Sequence, residues 1–288
     1  MMQKHFHGLL VLYIAVFLLS LNGLFAKLIP LDALSITQLR SVIAVFGFLA
    51  FGLVRKRKLR VKNLKQQFGV AFLGLLLGLH WITFFHAMQV STVAIGMLSL
   101  FSFPIMTILL EPLFNKKRLY MSDVLAGFAV LSGIAIMVSQ DLCDIGGSVV
   151  QGVFWGVLSA LLFSLRNLIQ KYHFSSISSD SLMFHQVLTI VLMLAPFIDI
   201  PKISGLNPSN LGSLLLLGIF STATAHTLLS YSLKQLAAKS VALISCLQPL
   251  LAAILAWFVL SEMPQMSVVI GGAMILSVAM YESVKKKS

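Results

Sequence analysis

The sequence predicts an all-α polytopic membrane protein, ten transmembrane helices built as two inverted five-helix repeats, and three observations carry that prediction. Of its 288 residues, 58% are hydrophobic and only 10% charged, where a soluble domain carries roughly a quarter charged residues. The apolar residues fall in ten runs, each near the ~20 residues that cross a hydrocarbon layer ~30 Å thick. The two halves match each other in sequence while the charge bias of their loops reverses.

The runs lie at approximately 6–28, 33–54, 67–88, 91–113, 122–140, 150–171, 181–200, 210–232, 240–260 and 265–282. The first, within MMQKHFHGLLVLYIAVFLLSLNGLFAKL, superficially resembles a secretory leader. Its apolar stretch is too long, no small-x-small cleavage site follows, and a partner run comes next, so it is expected to stay attached as a first helix. Connections are short, and Pro201, Gly205 and Pro208 mark the longest one in the second half. The net charge of +12 is not a nucleic-acid footprint, because the cations sit in short loops beside apolar runs. Counted with both termini cytoplasmic, 17 of the 21 Lys and Arg fall on the inner side. That bias predicts a multi-pass protein of the cytoplasmic (inner) membrane with both ends inside. Cys143 in a loop and Cys246 in a run make neither a disulfide framework nor a metal spacing.

Shifting the chain by 144 residues, half its length, sets Gly8 on Gly152 and the segment SLNGLFAK (Ser20 to Lys27) on SLRNLIQK (Ser164 to Lys171). Pro104 meets Pro249 at a shift of 145, and Gly127 meets Gly271 at 144. The expected units are therefore residues 1–145 and 146–288. Five spans per copy is an odd number, so the second copy must be upside down relative to the first. Loop charges agree: 55–65 carries seven cations against one near 199–209, and 115–121 carries three against none near 261–266. The bias reverses in the third pair, with none at 89–91 and two at 233–239. In each pair the basic loop is the one on the inner side.

Ionisable groups inside a bilayer are costly and mark functional sites by default. Helix rise places Asn22, Arg40 and His80 on the outer side of the midplane. On the inner side it places Glu111, Arg166, His185, Gln186, His226 and Gln248. Asn22 maps onto Arg166 and Arg40 close to Gln186, so one cluster mirrors the other. Glu111 and Arg166 come out at one depth and are expected to face one another; either alone in lipid would cost about 3 kcal/mol. The alternative is that Arg166 reaches the headgroups while Glu111 pairs with Lys116 or Lys117. Arg40, in the otherwise apolar or hydroxyl-bearing run LSITQLRSVIAVF, suits either a substrate carboxylate or phosphate or the carbonyls of a broken helix. His80, His185 and His226 are candidate proton carriers or interhelical hydrogen-bonders.

Pro104 and Pro249 each remove a helix hydrogen bond at matched positions, marking either a cavity wall or a packing kink. Trp81, Phe84, Phe85, Tyr231 and Trp257 could clamp an apolar or aromatic solute, or simply pack. Gly74/Gly78 and Gly152/Gly156 have the spacing that lets helices approach. His80 and His86 do not share a helix face, so no metal site is expected.

These residues resemble the drug/metabolite transporter superfamily and, within it, the EamA-type ten-helix proteins. The likeness covers nearly the whole chain. It rests on the five-plus-five duplication, on ITQLRSVIA with its early Arg40, on AMQVSTVAIGMLSLFSFPIMTILL in the first half and on SLKQLAAKSVALISCLQPLLAAILAWFVLSEMP in the second. The second copy carries the proline and the later loop glutamate of the family as Pro249 and Glu262. In the first copy that glutamate position falls at Lys117, and the acid sits within the span at Glu111. The resemblance implies secondary transport of a small organic metabolite, often export of an amino acid or related compound, by alternating access. It also implies a central cavity lined by the first four helices of each half, with the fifth and tenth peripheral.

A carrier, proton-coupled or exchanging, is the leading expectation, and an uncoupled facilitator or channel is the alternative. No Ser/His, paired-Asp or HExxH arrangement supports an intramembrane enzyme, and no Walker loop supports a primary pump. The expected partners are a small-molecule substrate and the lipid bilayer, with protons and a second copy in a homodimer as candidates. Neither nucleic acid, nor a cofactor, nor a metal is expected.

Overall fold

The computed structural model describes residues 2–56, 59–61, 63–91, 93–116, 118–137, 147–199, 201, 203, 205–260 and 266–284. The expected boundary between residues 145 and 146 lies outside the described residues, as do Lys58, Lys62, Lys117, Cys143, Lys202, Glu262 and the C-terminal lysines.

Helices alone are present among the described residues. They are α1 (Met2–Leu28), α2 (Ala33–Val54), α3 (Leu64–Val90), α4 (Val93–Leu100), α5 (Phe103–Asn115), α6 (Met121–Met137) and α7 (Gly147–His173). The second half continues with α8 (Ser179–Leu194), α9 (Pro208–Leu216), α10 (Ala225–Gln235), α11 (Ala238–Ser245), α12 (Gln248–Leu260) and α13 (Met266–Val284). Among the described residues, seven spans are long and apolar enough to cross a membrane outright, and shorter apolar stretches at Phe6–Asn22, Met121–Ile136 and Val269–Tyr281 bring the number to ten. Three spans are composite: α4 with α5, α9 with α10 through a π-helical stretch at Leu217–Thr224, and α11 with α12.

Several ends are fixed by local chemistry. Asp32 accepts from the Ser35 amide at 2.9 Å to start α2, Asn63 caps α3 and Ser178 caps α8. Asn207 caps α9, with Pro208 in the first turn where a missing N–H costs nothing. Two of the composite spans, α4–α5 and α11–α12, break where the prolines predict. Before Pro104 the ladder tightens to a Ser102-to-Ser99 bond, and before Pro249 to Cys246-to-Leu243 and Leu247-to-Ile244 bonds. The Ser164 hydroxyl on α7 donates to the Phe103 carbonyl at 3.0 Å, so a neighbouring helix satisfies backbone at the break.

Helix packing obeys the exchange of halves. α3 lies along α7 as α10 lies along α1, α8 lies against α3 as the π stretch lies against α2, and α6 pairs with α13 across the symmetry axis. Two crossings show the register. A methyl group added at Gly74 would meet the Gln186 carbonyl at 2.8 Å, and one at Gly218, 144 residues on, would meet Ile43 Cβ at 2.6 Å and the Arg40 carbonyl at 3.2 Å. Likewise Gly8 abuts Gln235 and Gly152 abuts Ser91, both pairs again 144 apart. The fifth span corrects one sequence match. Gly127 abuts Ile105 and Gly272 abuts Leu250, so Gly127 corresponds to Gly272 rather than Gly271. The one-residue shift enters in the turn before α4 and α11, whose starts Val93 and Ala238 are already 145 apart, and it persists beyond the proline breaks.

The architecture is polar inside and apolar outside, as lipid demands. Phe46, Leu53, Val54, Phe154, Leu192 and Phe258 face outward. Arg40, His80, Ser159, Arg166, Gln186, Thr222 and His226 are buried where the halves meet.

Candidate functional site

Arg40 sits on α2 facing the π stretch, and only 1% of it is exposed. Its Nε donates to Thr222 Oγ1 at 2.7 Å, and that hydroxyl donates in turn to the Leu217 carbonyl at 2.8 Å. The π stretch accounts for this geometry: its wide turn brings Thr222 back onto Leu217 five residues earlier and leaves Gly218 bare against α2. The guanidinium carbon lies 4.3 Å above the Trp81 ring, with Phe85 at 5.7 Å. Its Nη2 has no hydrogen-bond partner.

From Trp81 a train of rings crosses between the halves. Trp81 meets His226 edge-on at 5.1 Å, His226 meets Phe163 edge-on at 6.5 Å, and Phe163 stacks on His80 at 4.5 Å and meets Phe103 at 5.2 Å. His80 is held by Ser159: its Nδ1 is 2.7 Å from the hydroxyl, which in turn donates to the His80 carbonyl. Arg166 follows Phe163 by three residues on α7, close to one helical turn. Arg40 and His80 of the first half thus meet Arg166, Gln186 and His226 of the second in one core, with a guanidinium toward each end.

Arg166 is fully buried. It donates through Nε to Gln186 Oε1 at 2.8 Å, through Nη1 to Asn167 Oδ1 at 2.9 Å and through Nη2 toward Met183 Sδ at 3.7 Å. The expected Glu111–Arg166 pair does not form, and the headgroup alternative fails as well. Glu111 lies at the start of α11, where Oε1 accepts from the Ala238 amide at 3.0 Å and Oε2 from the Lys239 amide at 3.1 Å. Tyr172 adds its hydroxyl to Oε1 at 2.7 Å. A helix N-terminus offers unpaired N–H groups and the positive end of the macrodipole, so the carboxylate has a partner that carries no side-chain charge. Arg166, for its part, finds neutral acceptors within its own half. Depth from helix rise does not fix azimuth, and this pairing turned on azimuth.

Around Glu111 the two halves are tied together at the face that bears the chain termini. Asn115 donates to Tyr172 at 3.1 Å and Lys239 pairs with Asp123 across the halves, while within the second half Lys171 bonds the carbonyls of Leu233 and Leu236 at the end of α10. Toward the opposite face, Gln89 clamps the start of α2, accepting from the Ala33 amide at 3.1 Å and donating to the Leu31 carbonyl at 3.0 Å. Beside it opens a crevice of about 280 Å³ lined by Asp32, Ala33, Ile82, Thr83, His86 and Trp155.

The remaining sequence candidates lie apart from the core. Asn22 donates to the Leu19 carbonyl on its own helix, and its Oδ1 has no partner. His185 is half-buried and bonds the Ser181 carbonyl one turn back. Tyr231 meets His7 edge-on at 5.7 Å, and Gln248 is half-buried at the start of α12 beside Pro249. Trp257 is 41% exposed on the lipid side and cannot clamp a solute in the core. Sequence reasoning missed Thr222, Ser159 and Tyr172. Hydroxyls and rings inside apolar runs carry no depth signal, and only the facing helix shows what they hold.

The polar-cored inverted repeat defines a membrane transporter, and the chain belongs to the EamA-like transporter family, whose model matches residues 6–139 and 150–281, once in each half. An uncharacterized transporter of Bacillus subtilis (strain 168) is 26% identical over 243 residues, which cover 81% of this chain and 75% of that one. An uncharacterized transporter of Archaeoglobus fulgidus is 26% identical over 274 residues, 94% of each chain. A solved crystal structure superposes with a TM-score of 0.79 over 95% of each chain at 18% identity, a likeness of fold alone.

Proposed function

We propose that this transporter is a secondary carrier that moves a small organic metabolite, an amino acid or related compound, by alternating access across the cytoplasmic membrane, with its termini in the cytoplasm. The observation that carries the reading is the sealed termini face. Glu111 of the first half holds the N-terminus of α11 in the second, with Tyr172 and the Lys239–Asp123 pair beside it. These are polar bonds, which exchange for water when the face opens, in front of a buried polar core. A channel would keep that core continuous with both faces. A carrier needs a breakable seal on each face in turn.

Counterflow in proteoliposomes, run against a panel of metabolites with and without an imposed proton gradient, tests the reading. Exchange should be saturable and should not follow the pattern of simple leak. Conductance without counterflow would sink the carrier and support a facilitator. Glu111→Gln removes charge-assisted bonds of about 1.5–3 kcal/mol, and its seal should weaken accordingly. Thr107→Cys in a background lacking Cys143 and Cys246 should then react with a cytoplasmic thiol reagent at least tenfold faster. Unchanged reactivity would show that Glu111 does not hold the face shut.

A further inference from the structure

We infer that the core between α2, α3, α7 and α10 binds an organic anion: a carboxylate lodged on Arg40, an apolar or aromatic body among Trp81, Phe85, His226 and Phe163, and no ammonium group. The inference rests on the carrier reading and, within it, replaces the amino acid by a related acid that lacks the amine.

Charge accounting comes first. Arg40 and Arg166 are both essentially fully buried, and their side-chain partners are Thr222, Gln186, Asn167 and Met183, all uncharged. Among the described residues the buried acids are Glu111 and Asp123, and both are engaged elsewhere, on the α11 amides and Tyr172 and on Lys239. Among the described residues the core therefore holds two cations with no counter-anion, although an uncompensated buried charge is strongly unfavourable. A bound anion supplies what the chain omits.

The repeat then says which arginine receives it. Asn22 and Arg40 in the first copy correspond to Arg166 and Gln186 in the second. In the second copy the two positions satisfy each other at 2.8 Å. In the first copy they do not: Arg40 turns to Thr222, and both Arg40 Nη2 and Asn22 Oδ1 are buried without a partner. Arg166 is thus committed to its own half. Arg40 is pinned at Nε, flattened on Trp81 and left with a donor unspent, which is the geometry for receiving a carboxylate edge. The His226 Nδ1, on the ring that meets Trp81 edge-on, is also buried without a partner. The rings close on one another here, so the body of a ligand enters between them when the halves part.

A ligand ammonium has no acceptor of opposite charge in this core, so zwitterions are disfavoured against their deaminated analogues. The test is a matched series sharing one phenyl body: 3-phenylpropionate, phenylalanine, phenethylamine and 3-phenylpropanol, measured by thermal stabilisation of the detergent-purified protein. We expect 3-phenylpropionate to stabilise the protein with an apparent affinity at least tenfold better than phenylalanine. The amine and the alcohol should give no shift. Arg40→Gln should abolish the stabilisation by the acid, and Arg40→Lys should retain part of it. An amine or alcohol that stabilises as well as the acid overturns the proposal, as does a lack of stabilisation by the acid. An acid shift that survives Arg40→Gln overturns it too. If that variant does not fold, the series on the unaltered protein decides alone. Acid binding without acid counterflow would sink the carrier reading and keep the site, whereas counterflow of amines with no acid binding would do the reverse.

Discussion

Arg166 and Glu111 show how residue type and residue partner separate. Both are buried, at 0% and 4% exposure, so their cost in lipid has to be met by some partner. The partners are an amide side chain and a helix terminus rather than each other. Two expectations follow. Glu111→Gln and Arg166→Gln should destabilise additively, within about 0.5 kcal/mol, because they share no partner. Glu111→Gln and Tyr172→Phe should couple by about 0.5–3 kcal/mol, since each loses the bond that the other supplies. Chemical denaturation of the three single and two double variants checks both, and a Glu111–Arg166 coupling above about 1 kcal/mol would restore the direct pair. Gln186→Leu should cost about 1–3 kcal/mol by leaving a buried guanidinium N–H without its acceptor.

At the scale of elements, the crossings of α3 with α8 and of the π stretch with α2 depend on bare glycines. Gly74→Val and Gly218→Val would each drive a side chain into a facing helix, against Gln186 and Thr189 in one case and Ile43 in the other. Each should lower stability by more than about 2 kcal/mol, read as a lower unfolding temperature in detergent. Gly47 and Gly212, which face open space, should tolerate alanine with little change. The composite spans were legible from Pro104 and Pro249, since a missing N–H has a fixed consequence wherever it falls. The π stretch at Leu217–Thr224 was not legible. Its sequence, LGIFSTAT, has no proline, and the wide turn coincides with a Thr222 bond to Leu217 and the close approach of α2 at Gly218.

For the whole molecule, the proposed orientation puts the seal around Glu111 on the cytoplasmic side. Ser175→Cys, exposed in the turn between α7 and α8, should then react with a membrane-impermeant reagent only in inverted vesicles. Asn207→Cys, exposed at the start of α9, should react only in intact cells. Reaction of both from one side would show that α8, which lies between them, does not cross the membrane.

The sequence by itself determined the ten spans, the duplication and inversion, the proline breaks and the short list of groups that lipid would not tolerate unpartnered. Each of these follows from one-dimensional quantities: run length, spacing, loop charge and depth along a helix. Only the tertiary structure decided who meets whom. That Arg40 lies on Trp81 with a donor spare, that Arg166 is satisfied within its half, and that Glu111 closes the termini face all depend on helix azimuth and on contacts between residues about 20 to 180 positions apart. Periodicity in a uniformly apolar helix does not encode azimuth, because in lipid the outward face is as greasy as the packed one.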